Sequence, residues 1–82
     1  MTTREIKIAK RVLNYLHELE GGQAHPLTIL GEIGGLNVCT MNEFNETLHS
    51  LENGGYIHRV RTQFKGDMIS ISSAGEAARL EM

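Results

Sequence analysis

The chain has 82 residues, of which 40% are hydrophobic, and a formal net charge of −2. This length suits one domain near the lower limit for folding without disulfides or a structural metal. The lone cysteine, Cys39, excludes an intramolecular disulfide and is typical of a reducing compartment. The sequence shows no long apolar run, so it predicts neither a signal peptide nor a membrane span, and we expect one cytoplasmic domain over residues 1–82.

The charges are distributed unevenly. Between Val12 and His58 there is no Lys or Arg, but there are six glutamates. Seven of the eight Lys and Arg side chains are grouped before and after this stretch: Arg4, Lys7, Lys10 and Arg11, then Arg59, Arg61 and Lys65. Positive charge is therefore predicted on the first helix and on a later hairpin, and not on the helix between them.

A first helix is predicted from a cap at Thr2 or Thr3 to about Leu19 or Glu20. Its apolar residues form two neighbouring rows, which together cover about half of the helix at ~100° per residue: Ile6, Ala9, Leu13 and Leu16, and Ile8, Val12, Tyr15 and Leu19. This width favours a central helix packed by both the third and the C-terminal helix. The alternative is a homodimer in which Ile8, Val12 and Tyr15 form part of the interface.

A short strand and a short second helix are predicted next. Any strand in the connector Gln23–Leu27 is confined to a sheet edge by Pro26, which has no backbone N–H to donate. Thr28 is the predicted cap of a second helix from Ile29 to about Ile33. A glycine pair ends that helix, and a turn longer than usual leads to the third, which makes a helix-turn-helix.

The third helix has the clearest signals. Thr40 and Glu43 have capping-box spacing, in which each side chain binds the other residue's backbone N–H. Phe44, Leu48 and Leu51 then form one apolar stripe. An Asn-Gly-Gly sequence predicts the end of the helix.

A β-hairpin is predicted after this helix, with strands Tyr56–Arg61 and Met68–Ser72 around a polar tip at Gln63–Asp67. Since side chains alternate along a strand, Arg59 and Arg61 share the face of Ile57, but lie further along, where the hairpin should leave the core. Ser73 and Glu76 match a second capping box, which predicts a short C-terminal helix.

This order of elements, with two short motifs, resembles the winged-helix regulators of the MarR and PadR type over nearly the whole chain. The motifs are Leu48-x-x-Leu51-x-x-x-Gly55-Tyr56-Ile57 and Ile71-Ser72-x-x-Gly75, the second of which appears as Leu-Thr-x-x-Gly in those families. The resemblance implies an α+β winged helix-turn-helix with a three-helix core, a β-hairpin wing and a short C-terminal helix. It also implies a bacterial or phage transcriptional regulator that binds double-stranded DNA.

In such regulators the wing lies along the DNA backbone or enters the minor groove, and the third helix reads base edges. The corresponding candidates are Arg59, Arg61 and Lys65 for phosphates, and Asn42, Asn45 and His49 for bases. The third helix has no cation, however, and its glutamates would repel phosphate. The alternative is therefore a protein–protein interaction module that does not bind DNA and uses the acidic and polar face of this helix.

No pattern predicts catalysis, a cofactor or a metal. The four histidines and Cys39 lack the spacing of zinc ligands. There is no phosphate-binding glycine loop and no nucleophile elbow. We expect a protein that is not an enzyme.

Overall fold

The computed structural model describes residues 2–19, 21–64 and 66–81. These residues form an α+β architecture with four α-helices, a three-stranded antiparallel sheet and one turn of 3-10 helix at Gly35–Asn37. In chain order the elements are α1 (Thr3–Glu18), β1 (Gln23–Ala24), α2 (Pro26–Glu32), α3 (Met41–Asn53), β2 (Ile57–Thr62), β3 (Gly66–Ile71) and α4 (Ser73–Glu81).

Helix α1 lies at the centre of the domain. Thr2 caps it by accepting a hydrogen bond of 3.1 Å from the Glu5 amide. It packs against α2, α3, α4 and β3, which confirms the prediction of a central helix. Ile8 and Val12 are buried within this single chain, and Tyr15 is partly buried. The homodimer through the first helix stays a prediction, but two of its three residues are already covered by the chain itself.

Helix α2 begins earlier than predicted. Its N-cap is His25 and its first residue is Pro26, so the cap predicted at Thr28 is wrong. Proline suits this position because the first helical amide has no partner within the helix and the ring fixes a helical φ angle. Strand β1 pairs only with β3, so it is an edge strand, as the proline predicted.

Helix α3 confirms its sequence signals. The Thr40 hydroxyl accepts from the Glu43 amide at 3.1 Å, and the Glu43 carboxylate accepts from the Thr40 amide at 2.9 Å. Phe44, Leu48 and Leu51 are buried. The apolar stripe therefore faces the core and directs the polar side of the helix outward.

The sheet order is β1-β3-β2, and β2 and β3 form the predicted hairpin. Ile57 pairs with Ile71, Arg59 with Ile69 and Arg61 with Asp67, so these residues share one face, as alternation predicted. Ile57 and Ile69 are buried, whereas both arginines are exposed. The hairpin starts in the core and ends outside it. The tip is shorter than predicted, since Gly66 and Asp67 belong to β3.

Helix α4 is capped by Ser72 and not by Ser73. The Ser72 hydroxyl accepts from the Gly75 amide at 3.1 Å and donates to the Gly55 carbonyl at 2.5 Å. Glu76 does not close a capping box; its carboxylate contacts the His17 Nδ1 of α1 at 2.5 Å. Ser72 therefore joins the start of α4 to the base of the hairpin.

Candidate nucleic-acid interface

The exposed side of α3 holds the predicted base-reading residues in one row. Asn42, Asn45 and His49 are all exposed. Their spacing of three and four residues puts them on a single stripe, which Glu52 continues at the end of the helix. The structure thus brings the three candidates together, next to a carboxylate.

The hairpin arginines differ in exposure and in partners. Arg59 is 30% exposed, and its Nε lies 3.3 Å from a Glu52 carboxylate oxygen. Arg61 is 88% exposed, and its Nε lies 3.4 Å from the Asp67 carboxylate. Asp67 also lies 3.9 Å from Nη1 of Arg59. Both cations therefore have carboxylate partners on the same face of the hairpin.

The Arg59–Glu52 pair connects the two sets of candidates. Glu52 lies on the stripe of Asn45 and His49, and Arg59 lies on the hairpin. The ion pair places the arginine at the C-terminal end of that stripe. The polar row of α3 and the arginine face of the hairpin therefore form one continuous surface, which we call the hairpin–α3 surface.

Sequence reasoning missed Glu52 and Asp67 as partners of the arginines. Asp67 could have been found by counting, because residues at equal distances from a hairpin turn face each other. Glu52 could not, since its contact depends on how the hairpin lies across the end of α3. Lys65, the third basic candidate, lies outside the described residues.

Two arginines of the first helix already have partners within the domain. Arg4 forms an ion pair with Glu43 and donates from Nη2 to that carboxylate at 3.1 Å. The Arg11 guanidinium donates to the Ile33 carbonyl at 3.1 Å. The Arg4 hydrogen bond, helped by the Thr40 amide, lowers the pKa of the Glu43 carboxyl below its ordinary value. Glu43 therefore keeps its charge to a lower pH than an ordinary glutamate does.

Other kinds of site have little support in the part of the chain that the structure covers. No three His, Cys, Asp or Glu side chains converge there as metal ligands would. Cys39 is 2% exposed, and burial raises the pKa of its thiol, which disfavours the reactive thiolate. None of the helices described is both long and apolar enough to cross a membrane.

Comparisons with known proteins add no relative. No protein-family model matches the sequence, and neither the curated proteins nor the solved structures gave a match. A function for the hairpin–α3 surface has to be inferred from its own residues.

Proposed function

We propose that this chain is a small winged-helix DNA-binding domain, a transcriptional regulator of bacterial or phage type, that binds double-stranded DNA through the hairpin–α3 surface. The order of its elements and the sheet order β1-β3-β2 are compatible with a winged helix in which β2 and β3 form the wing. An arrangement of four helices and three strands does not by itself establish DNA binding, since one fold supports many functions.

The observation that supports the proposal most directly is the Arg59–Glu52 contact of 3.3 Å. It holds a basic hairpin beside the exposed row of α3, so one ligand can touch both. A DNA duplex presents phosphates beside base edges, and proteins commonly bind the first with arginine and the second with a helix.

Each residue has a role that follows from its chemistry. The exposed Arg61 guanidinium binds a phosphate. Arg59 keeps its Nε contact with Glu52 and exchanges the Asp67 carboxylate at Nη1 for a phosphate oxygen. The amides of Asn42 and Asn45 pair with adenine edges in the major groove, and the His49 ring adds a further hydrogen-bonding group. Lys65 supplies an additional positive charge on the same hairpin.

The glutamates of α3 limit the affinity. Glu46 and Glu52 lie on or beside the row that faces the DNA, and α3 has no Lys or Arg to offset them. Since phosphate neutralisation supplies most non-specific affinity, the hairpin must provide it. We therefore expect weak binding at physiological salt and clear binding at low salt.

The test is the binding of a fluorescent mixed-sequence duplex, followed by anisotropy over a series of salt concentrations. We expect the logarithm of the affinity to fall linearly with the logarithm of salt, by about 0.9 for each phosphate contacted. Arg61→Gln should weaken binding to every sequence and reduce the slope by about 1. Its fold should be unaffected, because the side chain is 88% exposed.

Lys10→Gln is the matched control, since it removes one exposed charge from α1 instead of the hairpin. It should leave the salt slope nearly unchanged. Equal losses in the two variants would mean that the duplex responds only to total charge. An absence of binding at low salt would rule out the proposed function.

One observation favours a second function, a protein-interaction module that does not bind DNA. The exposed side of α3 carries Glu46, and the helix itself has no Lys or Arg, which suits a basic protein partner. Backbone amide NMR distinguishes the two, because a duplex should shift resonances of the hairpin and of the Asn42–His49 row. A partner of α3 alone would leave the hairpin resonances unchanged.

A further inference from the structure

A single aromatic ring lies at the tip of the hairpin. Phe64 is 92% exposed, the highest value among the large hydrophobic residues described, whereas Phe44 is fully buried. The last strand pair is Thr62 with Gly66, so Phe64 lies beyond the sheet and has no core residue to pack on. The Thr62 hydroxyl donates to the Gly66 carbonyl at 2.9 Å, which closes the base of the turn below the ring.

The position and neighbours of this ring make it more than an isolated exposed hydrophobic. Single apolar side chains are common on protein surfaces. Here the ring ends a hairpin whose outer half also carries Arg61, with its side chain 88% exposed. The outer half of the hairpin thus offers both a cation, which can bind a nucleic-acid backbone, and an aromatic ring, which can stack on a base.

We infer that Phe64 inserts between neighbouring base pairs of a duplex while Arg61 binds the phosphate beside it. This inference rests on the proposed function and adds a second kind of contact to it. The ring would enter from the minor groove, which is only about 6 Å wide but has to accept no more than this one side chain. Apolar side chains of this kind separate stacked base steps and bend the duplex.

The insertion predicts a preference for particular base steps. Pyrimidine–purine steps unstack most easily, so the ring should enter at TA or CA steps. Such a preference needs no hydrogen bond to a base. It would give the hairpin some sequence selectivity although its arginines contact only phosphates.

The experiment uses the full chain with duplexes that carry 2-aminopurine within a TA step, because this base fluoresces more strongly when it is unstacked. Binding of the native protein should raise the fluorescence. Phe64→Ala should abolish the rise and weaken binding about tenfold, while the salt slope set by Arg61 stays the same. Phe64→Leu should keep part of the rise, since leucine can also separate base steps.

Leu36→Ala is the control, because Leu36 is 68% exposed but lies in the 3-10 turn, whose main contacts are with α2. It should behave like the native protein. Binding without a fluorescence rise, or a Phe64→Ala variant that binds and fluoresces like the native protein, would overturn the insertion and leave DNA binding intact. Failure of every duplex to bind at low salt would overturn both.

Discussion

Asp67 controls how much positive charge the hairpin presents. Its carboxylate lies 3.4 Å from Nε of Arg61 and 3.9 Å from Nη1 of Arg59. Exposed ion pairs of this kind contribute only about 0 to 1 kcal/mol, so a phosphate can replace the carboxylate at small cost. If the hairpin binds DNA as proposed, Asp67 should lower its affinity for the duplex without preventing binding.

We predict that Asp67→Asn binds a duplex more tightly than the native protein, by up to about fivefold. The substitution preserves the shape of the side chain and removes a charge that repels phosphate. It frees the Arg61 guanidinium and Nη1 of Arg59, while Nε of Arg59 stays paired with Glu52. Anisotropy titrations at one low salt concentration measure the change. The free energy of unfolding should fall by no more than about 1 kcal/mol, since the pairs it removes are on the surface.

Glu81→Gln provides the control for this prediction. It removes the same charge from the last turn of α4. Only the start of α4 lies at the hairpin base, and its later residues contact α1. If both variants gain affinity equally, only the net charge matters. If Asp67→Asn binds no better than the native protein, phosphate does not compete with Asp67 for the arginines.

At the level of elements, Glu43 joins two helices in addition to capping one. Its carboxylate accepts from the Thr40 amide within α3 and from Arg4 of α1. The Arg4 hydrogen bond is the main reason why the pKa of the Glu43 carboxyl is lowered. A carboxyl whose pKa is lower in the folded state stabilises the fold above its unfolded pKa, and this stabilisation is lost as pH falls through the folded pKa.

We predict that Glu43→Gln loses this part of the acid sensitivity. Glutamine can still accept from the Thr40 amide, so the capping contact remains while the charge is removed. Urea midpoints measured from neutral pH to well below about 4.3, the ordinary pKa of glutamate, should fall less steeply in this variant than in the native protein. Glu46→Gln, on the exposed side of the same helix, should keep the native steepness; equal flattening in both would exclude a specific role for the Arg4 pair.

Elements whose signals are local could be predicted from the sequence, and contacts between elements could not. The capping box of α3 and the alternation of the hairpin are properties of residues close in the chain, and the structure confirms both. The cap of α4 was predicted one residue late, because Ser72 and Ser73 are chemically alike and only the contact of Ser72 with the Gly55 carbonyl distinguishes them. The Arg59–Glu52 pair also depends on tertiary packing, so the joining of the hairpin to α3 was missed.

For the whole molecule, the packing of α1 shows whether a second copy of the chain is needed to bury its apolar surface. The wide apolar surface of this helix is covered from several sides by α2, α3, α4 and β3. Ile8 is 2% exposed and Val12 is 0% exposed in one chain. Binding to a symmetric operator would favour a dimer, yet the residues predicted for its interface already stabilise the monomer.

We predict that Ile8→Ala lowers the free energy of unfolding by about 2 to 5 kcal/mol, the usual cost of such a cavity in a core. The loss should be the same at two protein concentrations, because Ile8 is already buried within one chain. Urea unfolding followed by circular dichroism measures both quantities.

Ile6→Ala is the control on the same helix. Ile6 is 40% exposed, so this substitution should lower the free energy of unfolding by about 1 kcal/mol or less. Association stabilises the folded state by mass action, so a dimer would make the urea midpoint of the native protein rise with protein concentration. If the midpoint rises in this way and Ile8→Ala no longer shows the rise, the protein forms a dimer through α1.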